Sequence, residues 1–484
     1  MKKLTDILKN PPVREVCGDT AAAIGGLVYD SRAVNPGDCF FAVPGTQSDG
    51  HDYIPMAVEK GAAAIVCERM PADAAEGVAY VLVGDSAGAM ADMAAAFYDY
   101  PSRELKLVGI TGTNGKTTTA TLLYDLVRAM GYKAGLISTV VYKIDGREVE
   151  ATHTTPDSIR LNAMMREMAD AGCAYCFMEC SSHAIVQERT RGLDFAGGIF
   201  SNITHDHLDY HKTFAEYIRA KKLFFDGLPK GAFALTNADD RNGRVMVQNT
   251  AAAVSAYSLR AMADFRCKIV EMHLDGMLLR IDGQELWVGL LGRFNAYNLL
   301  AVYGAAALLG LDRGEVLRVL SMLHAVSGRF EKIRAANGTT AIVDYAHTPD
   351  ALENVIQTIE EIRTPGQQLI VVCGCGGDRD RTKRPEMAAI AVKYATTAVF
   401  TSDNPRHESP EAILDDMVAG LESGARYLRI ADRAEAIRTA VMLSRPGDII
   451  LVAGKGHETY QIVGDVKHPF DDREEIKKRF ALLN

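Results

Sequence analysis

The chain has 484 residues, more than one hydrophobic core usually organises, and its length suggests roughly three domains. Hydrophobic residues make up 48% and charged residues 24%, the balance of a soluble globular protein, and a net charge of -9 excludes a general nucleic-acid binder, whose domains are usually basic. Nine cysteines over this length exclude a disulfide framework and point to reduced thiols.

The opening stretch, Met1 to Lys9, carries charges inside any would-be apolar core and does not read as a secretory signal. The longest apolar run, around Leu299 to Leu311, is too short and too rich in Ala and Gly to span a bilayer. A cytoplasmic location with no membrane partner is therefore expected. From Gly26 to Gly45 two strands are predicted, joined by a tight turn at Asn35-Pro36-Gly37-Asp38. A helix over Ile54 to Lys60, strands at Ala62 to Cys67 and Tyr80 to Val83, and a helix from Ala87 to Tyr98 complete a small mixed α/β domain without a nucleotide signature. Its boundary is expected near Pro101, giving a first domain of residues 1–101.

The second segment, 102–327, opens on Leu-Val-Gly-Ile-Thr-Gly-Thr-Asn-Gly-Lys-Thr-Thr-Thr-Ala-Thr, Leu107 to Thr121. An apolar run, a glycine-rich turn and a helical pattern follow one another, the order of a phosphate-cradling loop. Gly112 and Gly115 let backbone N–H groups turn inward, Lys116 places a cation near terminal phosphates, Thr117 can ligate Mg²⁺, and the helix N-terminus adds its dipole. Against the strict pattern G-x-x-x-x-G-K-[ST] the match is one residue off, with Ile110 where the first Gly belongs, so this is a variant loop for an ATP-type ligand.

Alternating elements follow: the loop helix to Met130, a strand Ala134 to Ser138, a hairpin Val140 to Val149 turning at Asp145-Gly146, and a helix Ser158 to Ala171. Strands at Ala174 to Glu179 and Gly197 to Ile203, a helix Phe214 to Phe225, a strand Ala232 to Thr236, a β-rich insertion Phe265 to Leu291 and a helix Asn295 to Leu309 complete the segment. Such alternation predicts a mostly parallel sheet covered by helices. Cys173 and Cys176 form a C-x-x-C, but Phe177 and Met178 make the stretch read as a buried strand, so core thiols are expected rather than a metal or redox site. Lys221 and Lys222, taken alone, read as solvent-facing.

The third segment, 328–484, alternates cleanly. Strands are predicted at Ala341 to Asp344, Leu369 to Cys373, Ala398 to Thr401, Tyr427 to Ile430 and Ile449 to Val452, with helices at Pro349 to Ile362, Glu386 to Tyr394, Pro410 to Leu421 and Arg433 to Leu443. The expected fold is a doubly wound, Rossmann-like sheet. In Gly374-Cys375-Gly376-Gly377-Asp378-Arg379 the third glycine of a dinucleotide loop falls on Arg379, so no nicotinamide cofactor is expected.

Ligands in such sheets sit outside the carboxyl ends of the strands. In the third segment those ends carry Asp378 to Arg384, Asp403 to Arg406 and Gly454 to Glu458. Arginines that grip carboxylates, beside an Asn and a Glu that receive an ammonium, suit an amino acid. A solvated loop or a phosphate patch is the competing reading of 378–384. In the middle segment, Glu179 to His183 and Asn202 to His211 end neighbouring strands and should lie near the phosphate loop. Glu179 is a hard-cation ligand, the His/Asp cluster of 205–211 is a candidate transition-metal site in its own right, and His207 is either a ligand or a hydrogen-bonding group, since Mg²⁺ prefers oxygen.

These motifs, in this order, resemble the Mur ligases of peptidoglycan synthesis, and among them those adding the third residue of the stem peptide. The resemblance covers essentially the whole chain and rests on Asp30-Ser31-Arg32, Gly112 to Thr118, His153-Thr154-Thr155, Met178 to His183, Asp206-His207-Leu208-Asp209, Asp344-Tyr345-Ala346-His347, Asp403 to Arg406 and Gly454 to Glu458.

It implies an ATP- and Mg²⁺-dependent amide synthesis on UDP-N-acetylmuramoyl-L-alanyl-D-glutamate through an acyl phosphate. Lys116, Glu179, His207 and Lys221 would be catalytic. Gly112, Thr113, Asn114, Gly115, Lys116, Thr117 and Thr118 would hold ATP with Asn295, Asn298, Arg329 and Asp344, and Thr117, Glu179, His207 and a carbamylated Lys221 would hold metal. Tyr29, Ser31, Thr46, Gln47 and Ser48 would meet the UDP end. His153, Thr154, Thr155, Ser181, Gln187 and Arg189 would meet the muramoyl peptide, although His153 stands where the family carries Asn.

Asp403, Asn404, Pro405 and Arg406, with Arg379, Gly454 and Glu458, resemble the site for meso-diaminopimelate. Arg379 and Arg406 would take its distal carboxylate and Glu458 its distal ammonium. A monomer is expected. The same ligation with L-lysine, and a nucleotide switch without ligase chemistry, are the alternatives.

Overall fold

The computed structural model describes residues 1–45, 48–151 and 153–483. Each of three successive stretches builds its own sheet. In the first, strands Val13–Cys17, Ala79–Val83, Ala64–Cys67, Cys39–Phe41 and Leu27–Val28 lie side by side in that order. Leu27–Val28 pairs with Cys39–Phe41 in parallel, not as the expected hairpin. The Asn35–Asp38 turn does form, with Asp38 N donating to Asn35 O at 3.1 Å, but a 3₁₀ turn at Ser31–Ala33 precedes it.

The middle stretch builds an eleven-stranded sheet. Its parallel core runs Ala134–Ile137, Tyr175–Glu179, Lys106–Thr111, Gly197–Phe200, Phe233–Asn237, Ala253–Ser258. The core strands Tyr175–Glu179 and Gly197–Phe200 are buried along their whole length, as sheets covered on both faces require. The chain leaves the Lys106–Thr111 strand toward one side and later returns to its other side. Its carboxyl end is therefore a topological switch point, where a crevice opens. The insertion adds three antiparallel strands, Phe265–His273, Gly276–Ile281 and Gln284–Val288, joined by short turns at 274–275 and 282–283.

Cys173, Cys176 and Cys180 are buried in the apolar core of this sheet. Lys221 corrects its solvent-facing assignment: it is 1% exposed, whereas Lys222 pairs with Asp226 at 2.6 Å. On helix Phe214–Asp226 the buried positions are Tyr217, Ala220, Lys221, Phe224 and Phe225, a stripe of helical period, and Lys221 falls within it.

In the third stretch the order is Glu331–Arg334, Thr340–Asp344, Ile449–Ala453, Leu369–Cys373, Thr397–Phe400, Tyr427–Arg429. The last strand in sequence slots between the first two parallel ones, so the Gly454–Glu458 loop emerges at the centre of the carboxyl edge. The guanidinium of Arg433 holds this edge from below. It grips Asp472 at 2.7 and 2.8 Å and also donates to the carbonyls of Ser402 and Ala453, with both side chains of the pair fully buried. Arg433→Met leaves the Asp472 carboxylate buried and unpaired, and should cost about 3–5 kcal/mol. Urea unfolding of the last domain measures it, and an unshifted midpoint contradicts it.

Candidate functional site

The Lys106–Thr111 strand ends at Gly112, whose φ is +148° and where a Cβ would lie 1.9 Å from Ser201 Oγ, so no side chain fits. The following loop is laced to the next strand end. Thr113 N donates to Asn202 O at 2.8 Å, Asn114 N to Asn202 Oδ1 at 3.0 Å, and Ser201 Oγ to Asn114 O at 2.6 Å. Helix Lys116–Ala129 then begins, so its free N–H groups face the loop.

Two lysines meet at one atom here. Lys116 Nζ donates to Gly112 O at 2.9 Å and to Thr113 O at 2.8 Å, and Lys221 Nζ reaches Gly112 O at 2.8 Å. Burial holds the Lys116 ammonium below its ordinary value, and burial together with the charge of Lys116 pushes Lys221 well below its own.

The loop floors a cleft of about 450 Å³ between the middle and third domains. Thr113 to Thr118, Thr154, Glu179, Ser181, His207, Lys221, Asn298, Arg329 and Asp344 all line it. Third-domain groups reach across. Arg329 Nη2 donates to Thr117 Oγ1 at 3.1 Å, and Asp350 Oδ2 accepts from Asn114 Nδ2 at 3.0 Å. Asn295 stands behind Asn298, whose Nδ2 donates to Asn295 Oδ1 at 3.2 Å, while Asn295 Nδ2 is spent on Leu291 O. It orients Asn298 from the core side.

Glu179 is 1% exposed, and its Oε1 accepts from Thr139 N at 2.7 Å. His207 sits in the left-handed region at φ +54°, half exposed to the cleft, and desolvation there lowers its pKa. Thr117 offers a hydroxyl and Glu179 a carboxylate in the same cleft, an oxygen donor set that fits a hard divalent cation.

From Glu179 a chain of hydrogen bonds runs through the residues expected at the muramoyl peptide. Thr155 Oγ1 donates to Glu179 O at 2.7 Å and accepts from Ser181 N at 3.1 Å. Arg189 donates to Thr155 O at 2.7 Å and to Gln187 Oε1 at 2.6 Å. Thr154 lies 3.0 Å from the Thr139 hydroxyl, and the backbone of His153 is held from both sides by the Tyr142 hydroxyl. In the first domain Tyr29 is half exposed and within electrostatic reach of Arg189, Ser31 is buried and Ser48 is exposed. Thr46 and Gln47 lie outside the described residues.

At the third carboxyl edge, Arg406 and Arg379 flank Gly376. Arg406 Nη1 donates to Gly377 O at 2.9 Å and Arg379 Nη1 to Asp378 O at 3.2 Å, and among the described residues neither guanidinium forms an ion pair with a carboxylate. Burial and the neighbouring Arg379 charge push Arg406 below its ordinary value. Asn404 Nδ2 donates to Glu458 Oε2 at 2.9 Å. Asp403 abuts Gly454, where a Cβ would lie 2.5 Å from Asp403 Oδ2, and Pro405 carries the chain on to Arg406. The other arginines of the 378–384 run are spoken for: Arg384 pairs with Glu408 and Asp416, and Arg381 with Asp416.

Three family models match the chain in order: "Mur ligase family, catalytic domain" over 23–98, "Mur ligase middle domain" over 110–306, and "Mur ligase, glutamate ligase domain" over 328–456. The chain belongs to the Mur ligase family. It is 55% identical to proteins of Phocaeicola vulgatus and Bacteroides fragilis, over 99% of both chains in each case. Both are named UDP-N-acetylmuramoyl-L-alanyl-D-glutamate--2,6-diaminopimelate ligase. A solved structure of a ligase with the same printed name, 31% identical, superposes with a TM-score of 0.71 over 100% of this chain and 99% of the other.

Thr139, Asp206, His347 and Asp350 of this Mur ligase also line the cleft, beyond the residues expected to bind or catalyse. Asp206 and His347 were visible inside quoted motifs; Thr139 and Asp350 carry no local signal, because what brings them in is the approach of separate strands and domains.

Burial raises the Asp344 carboxyl from 3.8 to about 6, against the pull of Arg329 and the Phe330 N–H. Between those values the folded chain binds a proton that the unfolded chain does not. This group's contribution to stability is therefore present below 3.8 and lost as the pH rises through about 6. Urea unfolding across this range should show the stability of the parent falling relative to Asp344→Asn as pH rises; a difference of the opposite sign contradicts the assignment.

Proposed function

We propose that this Mur ligase joins meso-diaminopimelate to UDP-N-acetylmuramoyl-L-alanyl-D-glutamate, with ATP converted to ADP and phosphate, as a monomer in the cytoplasm. The observation that carries the choice of amino acid is the pair of guanidiniums, Arg379 and Arg406, which among the described residues have no carboxylate partner, beside Asn404 and Glu458. The names of the relatives at 55% identity point the same way. Among the described residues no helix is long and apolar enough to cross a membrane. The working division is 1–101 for the UDP end, 102–327 for ATP and chemistry, and 328–484 for the amino acid.

In this reading the loop N–H groups and Lys116 cradle the triphosphate, while Asn298, Arg329 and Asp344 meet the adenosine end. Tyr29, Ser31, Thr46, Gln47 and Ser48 meet the uridine end. Thr154, Thr155, Ser181, Gln187 and Arg189 orient the dipeptide so that its free side-chain carboxylate faces the γ-phosphate. The carboxylate oxygen attacks phosphorus and the bond to ADP breaks. The amine of diaminopimelate then attacks the acyl carbon, and the carbon–oxygen bond to phosphate breaks. Lys116 offsets charge that builds on the transferring oxygens.

Bound at Thr117, Glu179 and His207, Mg²⁺ would neutralise phosphate charge. Lys221 is the group to complete this set. A buried lysine whose pKa is pushed down gives up its proton more readily and then, as the free amine, is a nucleophile for CO₂; addition releases one further proton and leaves an N-carboxylate whose single negative charge is shared by two oxygens. The modification turns a cation that would repel the metal into a ligand for it.

Phosphate release from ATP should require Mg²⁺, the UDP-muramoyl dipeptide and diaminopimelate together. Replacing Arg406 with Ala should cut kcat/KM for diaminopimelate roughly 10- to 100-fold. Equal turnover of the parent with lysine contradicts the choice of amino acid, and hydrolysis indifferent to any amino acid would return the chain to a nucleotide switch.

Lys221→Ala should lower turnover by roughly a hundredfold or more, with partial recovery on adding small carboxylates such as formate or acetate. Wild-type rates in the variant would remove Lys221 from the metal site.

A further inference from the structure

Lys455 lies in the Gly454–Glu458 loop, is 0% exposed, and has no part in the chemistry described above. Its Nζ donates to Glu458 Oε2 at 2.9 Å and to Asn404 Oδ1 at 3.1 Å. Asn404 Nδ2 closes the triangle on the same Glu458 Oε2 at 2.9 Å, and Asn404 Oδ1 also accepts from Ile462 N at 2.9 Å. A turn in which Glu458 N donates to Lys455 O brings the two charged side chains to one side of the loop.

The consequence is a count of open positions. Glu458 Oε2 already receives two donors and Asn404 Oδ1 another two, while among the described residues no protein donor reaches Glu458 Oε1. Two donors on Oδ1 settle which way the Asn404 amide faces. An ammonium arriving at this edge therefore meets one carboxylate oxygen, held in place by a buried counter-charge. Being wholly enclosed, Lys455 acts through Glu458 and Asn404 and does not itself reach a ligand.

We infer that Lys455 is a positioning residue that locks Glu458 and Asn404 into a receptor for the distal ammonium of the amino acid, and so sets selectivity at that one group. The inference rests on the diaminopimelate reading. It separates two halves of recognition: Arg379 and Arg406 read the distal carboxylate, and the Lys455 triangle reads the distal ammonium.

Two analogues isolate the halves. Lysine lacks the distal carboxylate, and 2-aminopimelate lacks the distal ammonium. For the parent enzyme kcat/KM should fall roughly tenfold or more with either one. Lys455→Met should lose most of the preference for diaminopimelate over 2-aminopimelate while keeping its preference over lysine, with KM for ATP unchanged. Lys455→Arg keeps the buried charge but not the geometry of a point ammonium, and should lose part of the same ratio. If the Met variant does not fold, the Arg variant decides by that ratio alone. A parent preference for the ammonium that survives in every folded variant overturns the role of Lys455, whereas a parent that prefers diaminopimelate over neither analogue overturns the proposed function itself.

Discussion

Two ammonium groups converge on the carbonyl oxygen of Gly112, the half-buried one of Lys116 at the start of the loop helix and the buried one of Lys221 on helix Phe214–Asp226. Like charges this close and this poorly hydrated are stable only if one gives up its proton or negative charge arrives. The rest of the cleft suits the arrival of negative charge: the N-terminus of helix Lys116–Ala129 opens at the loop, and Arg329 reaches in from the third domain. A triphosphate and a substrate carboxylate are the anions that such a place favours, and they are also the two reactants of a ligase that works through an acyl phosphate.

The cleft belongs to two domains. Asn114 of the loop is hydrogen-bonded to Asp350, and Thr117 to Arg329, so the third domain touches the residues that would hold phosphate. The same strand that ends at Asp344 lies beside the one that ends at Gly454, and Gly454 N donates to Asp344 O at 3.0 Å. The residues proposed for the nucleotide and those proposed for the amino acid are thus mounted on adjacent strand ends of one sheet. Motion of that sheet moves both together, which suits a reaction that must bring an amine to an acyl phosphate.

At the amino-acid edge the charges are sorted. Arginines 381 and 384 are consumed by Asp416 and Glu408, and Arg433 by Asp472, all of them structural. Among the described residues Arg379 and Arg406 are left with carbonyl partners. That contrast divides the 378–384 run: Arg381 and Arg384 are tied into the scaffold, and Arg379 is the arginine of the run that the proposed amino-acid site would use.

The sequence by itself determined the order of elements, the variant phosphate loop, and the clusters at strand ends, because these depend on local spacing and on periodicity along one segment. It also held the position of Lys221, since the stripe Tyr217, Ala220, Phe224 and Phe225 contains it, but charge outweighed periodicity in the reading. Tertiary structure alone decided the parallel pairing of Leu27–Val28 with Cys39–Phe41 and the insertion of Ile449–Ala453 between strands a hundred residues earlier. It alone decided that Asp350 meets the loop and that Lys455 is spent on Glu458. Pairing direction and the partner of a buried charge are set by which distant segments exclude water together, and no window of neighbouring residues carries that information.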